Sequence, residues 1–398
     1  MAAPAHSERK HALLSASHAA RWLACPPSAR LEEKFKETCG FQDSSVYAEE
    51  GTLAHEFAEL SLRLASGRIS KVDYESALEA LRGHELYSEE IEEQIEKYSA
   101  YVMEAFEHAK TVVPDPVLFI EEKLDFSHIV EEGFGTGDSG IIADGIMEVI
   151  DLKYGKGVKV EACENPQLKL YALGALRNYE MLYDIHTIRL TIIQPRIDNI
   201  VSWDISVKDL YKWAFEVVRP IAEKAYVGKG IQKAGEHCKF CSVKAMCNTL
   251  AQRNIALAKH EFKDPQLLTE KQLIDVYKQI PMLVDWANSV GEFLFNKALA
   301  GEKVEGYKLV EAPSRRRWTN EEDVQAKLKE EGYTEEQFNT VKLKGISDIE
   351  KLVGKKNFPA LMEGFVIKPQ GNPILVPETD KRPEYKSLEQ AKQDFGNE

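Results

Sequence analysis

Two adjacent apolar runs, followed by an amphipathic segment, form the clearest hydrophobic pattern of the chain. SGIIADGI and MEVIDLKY, which together span residues 139–154, are rich in β-branched residues and bounded by glycines, as is typical of a strand–turn–strand unit. The segment PQLKLYALGA, residues 166–175, repeats its apolar positions at helical spacing. The pattern predicts a β-hairpin followed by a helix.

The segments on either side alternate between helical and strand patterns. Helical spacing, interrupted by prolines in the first and last cases, predicts helices within residues 15–35, 51–67, 70–110 and 207–227. Alternating apolar positions predict strands within residues 116–126 and, as a pair joined at Pro195, within 186–207. This order of elements predicts an α/β fold with a mixed central sheet flanked by helices and a helical N-terminal segment.

One domain is predicted at residues 15–248, preceded by a loose leader at 1–14. Residues 249–375 have the pattern of a mixed α+β extension, and residues 376–398 that of a polar, partly disordered tail. The first residues lack the apolar core of a signal peptide, and no apolar run reaches membrane-spanning length. We therefore predict a cytoplasmic protein with no membrane partner.

Composition adds little about the partners of the protein. The chain has 398 residues, of which 43% are hydrophobic and 29% charged, and this length accommodates more than one structural unit. Its formal net charge of −14 disfavours bulk binding of nucleic acid, because phosphate contacts require lysine and arginine. A local basic groove remains compatible with that charge, since Lys153, Lys156 and Lys159 lie within one short segment.

Candidate chemistry lies on the predicted hairpin and on the helix after it. Asp151 and Lys153 project from the same face of one strand, and Asp138 precedes Asp151 by 13 positions, which suits a hairpin that brings the two carboxylates together. Gln167 and Tyr171 share one helix face. Two carboxylates beside a lysine suit Mg²⁺ or Mn²⁺ acting on a phosphodiester. The alternative is a solvated hairpin with ordinary surface charge.

Three motifs in this region resemble those of the RecB-like branch of the PD-(D/E)XK nuclease superfamily, which includes AddB and the CRISPR-associated adaptation nucleases. They are G-T-G-D at residues 135–138, D-L-K-Y-G at 151–155 and Q-L-K-L-Y at 167–171. The resemblance implies a restriction-endonuclease-like core and a metal-dependent DNA nuclease, with exonuclease action on DNA ends or single strands. It also implies a setting in replication, recombination or repair, often in phage or mobile elements, alongside proteins of those pathways.

The resemblance further implies a metal site. G-T-L-A-H at residues 51–55 matches a signature in which the histidine binds the metal, so His55, Asp138, Asp151 and the backbone carbonyl of Leu152 are the expected ligands. Without the downstream motifs, His55 reads as a half-buried helix histidine. Glu121 or Glu122 could also reach this site, although an edge-strand carboxylate without a role is the preferred interpretation.

The resemblance assigns the remaining residues to catalysis. Lys153 would position the attacking water, and Gln167 and Tyr171 would orient either the scissile strand or the lysine.

A second cluster of candidate ligands follows the predicted core. Cys238, Cys241 and Cys247 form a C-x2-C-x5-C pattern, which in a cytoplasmic chain indicates metal binding rather than disulfides. A closed site requires a fourth ligand, and the other cysteines are Cys25, Cys39 and Cys163.

Cys25 is the preferred fourth ligand. In AddB and related nucleases, one cysteine upstream of the core joins three downstream cysteines around a [4Fe–4S] cluster, and Cys25, Cys238, Cys241 and Cys247 have that arrangement. A structural Zn²⁺ held by four cysteines, or with His237 in place of Cys25, is the alternative. Cys39 and Cys163 are interpreted as ordinary thiols.

A third candidate region lies in the predicted extension. Arg315, Arg316, Arg317 and Trp318 place three cations beside one aromatic ring, a combination that can clamp a DNA strand by phosphate contact and base stacking. The alternative is exposed charge beside one packed tryptophan. Lys156 and Lys159 are the other predicted DNA contacts.

Two functions compete with the nuclease. One is a nuclease fold that has lost its activity and serves as a structural or DNA-binding subunit. The other is a zinc-stapled binding protein without hydrolytic activity. The chain has no phosphate-cradling glycine loop, so no ATPase or helicase motor is predicted.

Overall fold

A computed structural model of the protein describes residues 12–39, 46–261, 270–313, 316–338, 343–367, 369, 371–377 and 382–385. Most of the predicted leader at 1–14 and most of the predicted tail at 376–398 therefore lie outside the described residues. The chain divides into two compact units, Met1–Trp286 and Ala287–Glu398.

The helices of the first unit surround its sheet. They are α1 (Ala19–Ala24), α2 (Ser28–Cys39), α3 (Val46–Ala65), α4 (Lys71–Arg82), α5 (Glu89–Val112), α6 (Pro166–Tyr179), α7 (Val207–Trp213), α8 (Arg219–Tyr226), α9 (Asn248–Glu261) and α10 (Glu270–Tyr277). Helix α11 (Ile280–Leu299) runs across the division between the units. Helix α3 begins at Val46, five residues before the predicted start at residue 51, so His55 lies in its middle.

A five-stranded mixed sheet forms the centre of this unit. Its strands are β1 (Val117–Asp125), β2 (Phe134–Ala143), β3 (Gly145–Leu152), β4 (Ile185–Gln194) and β5 (Asn199–Ser206), and they lie in that order across the sheet. β3 and β4 are parallel, whereas the other neighbours are antiparallel. Since parallel strands require a crossover connection, α6 carries the chain from the end of β3 to the start of β4. The prediction of an α/β fold with a mixed central sheet flanked by helices is confirmed.

Each face of the sheet has its own hydrophobic core. On one face, α6 packs with residues such as Leu170 and Leu173 against Val149 and Leu190. On the other, α3 and α5 pack apolar residues against Ile141, Ile150 and Leu152, and the helix residues include Leu53, Phe57, Ile91, Ile95 and Tyr98. Because side chains alternate along a strand, consecutive residues contribute to opposite cores.

The segment predicted as one helix with a proline interruption consists of three parts. α7 is followed by a π-helical turn, Ala214–Val218, and then by α8. Pro220 is the second residue of α8 and directly follows the π-helical turn, and a proline without an N–H inside continuous helix is a usual cause of such an irregularity. The irregularity therefore lies directly before the proline.

The second unit is built from short elements. Its strands β6 (Tyr307–Glu311) and β9 (Pro373–Pro377) form one antiparallel pair, and β7 (Arg317–Trp318) and β8 (Val366–Ile367) form another. Its other helices are α12 (Glu321–Glu330), α13 (Glu335–Phe338), α14 (Ile346–Val353) and α15 (Phe358–Leu361). These four helices share a small core that includes Leu328, Phe338, Ile349 and Phe358.

No helix among the described residues is both long enough and apolar enough to cross a membrane.

Candidate active site

Three carboxylates lie at one level across β1, β2 and β3. Ile120 pairs with Ser139 and Glu122 with Gly137, so Glu121 lies opposite Asp138. Ser139 pairs with Ile150, so the next position of the hairpin sets Asp138 opposite Asp151. Positions that face each other on adjacent strands have Cβ atoms about 5 Å apart. The hairpin therefore brings Asp138 and Asp151 together, as their spacing predicts.

Asp138 links this row to the end of β3 and to α3. Its Oδ2 accepts a hydrogen bond of 2.7 Å from the backbone N–H of Leu152, and its Oδ1 lies 3.4 Å from Nδ1 of His55. The side chain of Asp138 is thus fixed by one backbone donor and one imidazole.

Glu121 has an unusual backbone conformation for a strand residue. Its φ of 47° lies in the left-handed region, which costs free energy for a residue with a side chain. Ile120 packs in the core beneath α3 and α5, whereas Leu124 packs in the core beneath α6, so the even positions of β1 change face across Glu121. The local twist points Glu121 toward α3, where its Oε1 lies 3.8 Å from Nδ1 of His55.

Glu122 points away from this group. Its two oxygens accept hydrogen bonds from Asn178 at 3.1 Å and Tyr179 at 2.9 Å, at the end of α6. Two adjacent acids on a strand always face opposite ways, and the sequence leaves open which of them joins the site. The structure places Glu121 there, a residue for which sequence reasoning preferred no role.

His55, Glu121 and Asp138 form a three-sided group of possible metal ligands. One ligand atom from each lies within 4.8 Å of the other two. One imidazole and two carboxylates combine donors that suit hard or borderline divalent cations.

Asp151, Lys153, Gln167 and Tyr171 form a connected polar chain on the α6 side. Lys153 Nζ lies 2.9 Å from Asp151 Oδ2 and donates to Gln167 Oε1 at 3.0 Å. The amide nitrogen of Gln167 lies 3.0 Å from Asp151 Oδ1 and 3.3 Å from the Tyr171 hydroxyl. All four residues singled out from the motifs therefore lie within hydrogen-bonding distance of another member.

The first turn of α6 is fixed locally. Asn165 caps the helix by accepting hydrogen bonds from the backbone N–H groups of Gln167 and Leu168, and Pro166 occupies the first helical position. The ring of Tyr171 packs so closely on Gly135 that a Cβ there would lie 2.7 Å from the ring. A glycine in the G-T-G-D motif is therefore needed for the approach of Tyr171.

One buried oxygen of the site lacks a hydrogen bond. Asp151 is only 2% exposed, and its Oδ2 accepts no hydrogen bond, because Lys153 Nζ is near enough but poorly aligned. The ammonium of Lys153 compensates part of the charge of this buried oxygen, and the poor alignment leaves a lone pair for a further cation. The donor set therefore fits a divalent cation held near Asp151 and Asp138.

The charges of the site are strongly coupled. The carboxylate of Asp138 raises the pKa of His55 to about 10. Burial opposes ionisation of Asp138, but the nearby His55 outweighs it and holds the pKa of Asp138 below its usual value. Burial raises the pKa of Asp151 and of Glu121. Glu121, Asp138 and Asp151 therefore carry their full negative charge together only when nearby cations compensate it.

The predicted DNA contacts are divided between the two units. In the first unit, Lys156 pairs with Glu90 at 2.7 Å and Lys159 pairs with Glu161 at 3.0 Å. Each of these two lysines is thus paired with a carboxylate, and their contact with DNA stays a prediction.

The basic segment of the second unit is more heterogeneous. Arg315 lies outside the described residues. Arg316 pairs with Glu350 at 2.9 Å, Arg317 is exposed, and Trp318 packs against the core of its own unit. Stacking of a base on Trp318 stays a prediction.

The cysteines of the predicted cluster line one common pocket. Cys25 at the end of α1 and the three clustered cysteines, Cys238, Cys241 and Cys247, line one small pocket together with His237. The Nε2 of His237 lies 2.7 Å from the backbone carbonyl of Lys233. Cys163 is exposed, and the side chain of Cys39 lies outside the described residues.

A buried ion pair joins the two halves of the cysteine site. Arg21 of α1 lies 2.8 Å from Glu32 of α2 and also donates to the carbonyl of Phe240 at 2.5 Å. Glu32 in turn accepts hydrogen bonds from the backbone N–H and the hydroxyl of Ser242. The N-terminal helices therefore hold the cysteine loop directly.

The fold and the site define an α/β protein with a carboxylate and imidazole site at the end of a mixed sheet. The chain belongs to the family described as "Protein of unknown function (DUF2800)", whose family model matches residues 11–383. A solved structure described as "Crystal structure of SSO0001" is similar over 55% of this chain and 94% of that one, with 16% identity and a TM-score of 0.22.

Proposed function

We propose that this protein is a metal-dependent DNA nuclease with a restriction-endonuclease-like core of the RecB-like type. The observation that carries the proposal is the row formed by Glu121, Asp138 and Asp151, with His55 on one side and Lys153 on the other. Carboxylates, one imidazole and one lysine at a single point are the groups that metal-assisted phosphodiester hydrolysis requires.

The arrangement of the strands supports the nuclease core. The G-T-G-D and D-L-K-Y-G motifs lie on the antiparallel strands β2 and β3, and the Q-L-K-L-Y motif opens the crossover helix α6. Three motifs that are separate in the sequence thus meet at one end of the sheet. A chance D-x-K on a solvated hairpin would not be expected to have Gln167 and Tyr171 bonded beside it.

The proposed ligands of the metal are His55, Glu121, Asp138 and Asp151, with the backbone carbonyl of Leu152. When bound, Mg²⁺ or Mn²⁺ would lower the pKa of a bound water and stabilise charge on the phosphate. Binding requires His55 to release its proton. Oδ2 of Asp151, which is ion-paired with Lys153 but accepts no hydrogen bond, is proposed to complete the set.

Lys153, Gln167 and Tyr171 supply the remaining functions. Lys153 is held by Asp151 and Gln167 with its ammonium at the site, where it can orient the attacking water or stabilise the developing oxyanion. Although burial disfavours its charge, the carboxylates Asp151 and Asp138 raise the pKa of Lys153, so it carries its proton at neutral pH. Gln167 connects Lys153 to Tyr171 and fixes the direction of both.

Glu121→Gln is expected to weaken Mn²⁺ binding by about tenfold or more. Substitution of groups that only support a ligand typically costs 10–100-fold in metal affinity, and loss of a ligand should cost at least as much. The change is nearly isosteric, so the strand should keep its shape. Calorimetric titration with Mn²⁺ measures the effect.

Glu122→Gln is the matched control for that substitution. It lies next to Glu121 but points toward Asn178 and Tyr179, so Mn²⁺ affinity should remain within about twofold of the wild type. Equal affinities for Glu121→Gln and the wild type would remove Glu121 from the ligand set.

The cysteine site is proposed to hold a structural [4Fe–4S] cluster. Four cysteines, Cys25 from the N-terminal helices and three from the later loop, line one small pocket, and all-thiolate ligation suits such a cluster. A structural Zn²⁺ held by the same four thiolates is the alternative.

Degradation of end-labelled DNA by the purified wild-type protein tests the proposal. Linear and circular substrates, single- and double-stranded, should be incubated with Mn²⁺, Mg²⁺ or excess EDTA, with RNA as a competitor. We expect metal-dependent loss of linear DNA that EDTA abolishes, with circular DNA resistant if action starts at ends. Failure to degrade any nucleic acid with either metal would contradict the proposal.

A further inference from the structure

Arg196 joins three elements around the candidate active site. It follows β4 in a short 3-10 turn, Pro195–Ile197, and its side chain is only 11% exposed. Its guanidinium donates to both oxygens of Glu50 on α3 at 3.1 Å, and to Glu90 on α5 at 3.2 Å and 3.4 Å. One side chain therefore binds both helices that cover this face of the sheet.

The same guanidinium also lies against the segment that directly follows β3 and carries Lys153. Its carbon is 4.5 Å from the ring centre of Tyr154, the residue after Lys153, and the backbone N–H of Lys153 donates to Ile193 of β4 at 2.9 Å. The buried aromatic ring of Tyr154 is thus held between the core and a cation.

The position of Glu50 makes this contact relevant to His55. Both residues are on α3, five positions apart, which corresponds to about 7.5 Å along the helix axis. His55 reaches Asp138 and Glu121 only across distances of 3.4 Å and 3.8 Å. A small displacement of α3 would therefore separate the imidazole from the carboxylate row.

We propose that Arg196 is a positioning residue that holds α3, and hence His55, at the distance from Asp138 and Glu121 that metal binding requires. The relevance of this role to catalysis rests on the proposed function. The contacts of Arg196 with Glu50 and Glu90 are independent of it. A planar guanidinium can bind two carboxylates and stack on a ring at once, whereas the ammonium of lysine is a point charge without that geometry. Arg196→Lys keeps the positive charge but loses the planar group that binds two carboxylates at once.

Arg189→Lys is the matched control. Arg189 lies on β4, the strand that leads into the Arg196 turn, and binds both oxygens of Asp204 at 2.9 Å, but that pair is exposed and neither residue is on α3 or α5. The control therefore measures how loss of a bidentate arginine changes amide exchange and Mn²⁺ affinity when its partner is not on a helix that holds a site residue.

The test combines hydrogen exchange of residues 46–65 with Mn²⁺ titration of the full-length protein. For Arg196→Lys, we expect faster amide exchange in α3 and a dissociation constant for Mn²⁺ about tenfold higher than that of the wild type. The rate of DNA degradation at saturating Mn²⁺ should stay within about twofold of the wild-type rate. Glu50→Gln removes the charge of the Arg196 partner on α3 and leaves Glu90 intact, so it should reproduce both effects. Arg189→Lys should change neither.

The outcomes separate this proposal from the proposed function. If both variants, Arg196→Lys and Glu50→Gln, show the amide exchange rates in α3 and the Mn²⁺ affinity of the wild type, Arg196 does not position α3. If exchange rises while Mn²⁺ affinity stays unchanged, Arg196 is structural and the positioning of His55 is wrong. A wild type that binds Mn²⁺ but degrades no nucleic acid would overturn the nuclease, and the affinity difference would still support the role of Arg196.

Discussion

Lys153→Met is expected to lower the rate of DNA degradation at saturating Mn²⁺ by about 10²–10³-fold, the usual cost of removing one preorganised donor at a developing charge. The substitution keeps the length of the side chain and removes its charge. Mn²⁺ affinity should not fall, because the metal ligands remain and a competing cation has left. A loss of rate without a loss of metal binding would assign Lys153 to the chemical step.

Two variants complete this experiment. Asp151→Asn should lose both Mn²⁺ affinity and activity, since Asp151 is a proposed ligand of the metal and also holds Lys153. Lys123→Met removes an exposed lysine of β1 that lies over the ring of Phe134, and should leave the rate within about twofold. A Lys153→Met protein as active as the wild type would show that the assigned site is wrong.

Cys25→Ser is expected to abolish the iron content of protein purified without oxygen. The wild type should contain about four irons and absorb near roughly 400 nm, as a four-iron cluster requires. Because Cys25 lies at the end of α1 and the other ligands lie more than 200 positions later, its loss removes one link between the N-terminal helices and the cysteine loop, while the contacts of Arg21 and Glu32 remain. The unfolding temperature should fall by roughly 5–10 °C, since binding at such a site is coupled to folding.

His237→Gln and Cys163→Ser are the controls for the cysteine site. His237 lines the same pocket, so loss of metal in His237→Gln with retention in Cys25→Ser would make the histidine the fourth ligand. Cys163 is exposed and should be replaceable without effect. A colourless wild type with one zinc per chain would replace the cluster with zinc and leave the carboxylate row unaffected.

The sequence was most informative where the relevant geometry is local. Strand alternation places Asp151 and Lys153 on one face, and helical spacing places Gln167 and Tyr171 on one face, whatever the rest of the chain does. The hairpin between Asp138 and Asp151 is nearly as local, because a short antiparallel connection fixes the register. The presence of several short strands around one amphipathic helix also followed from the pattern of apolar runs, whereas their order across the sheet came from the structure.

The sequence by itself thus determined the mixed sheet and half of the candidate site, because those depend on periodicity over a few residues. The tertiary structure decided what depends on distant partners. Glu121 rather than Glu122 joins the site because the left-handed backbone at Glu121 reverses which face of β1 the following residues occupy. The pattern of apolar and polar residues does not encode that reversal. Arg196 acquired a role only when packing brought Glu50 and Glu90 together, since ion pairs between distant segments follow from how the elements pack.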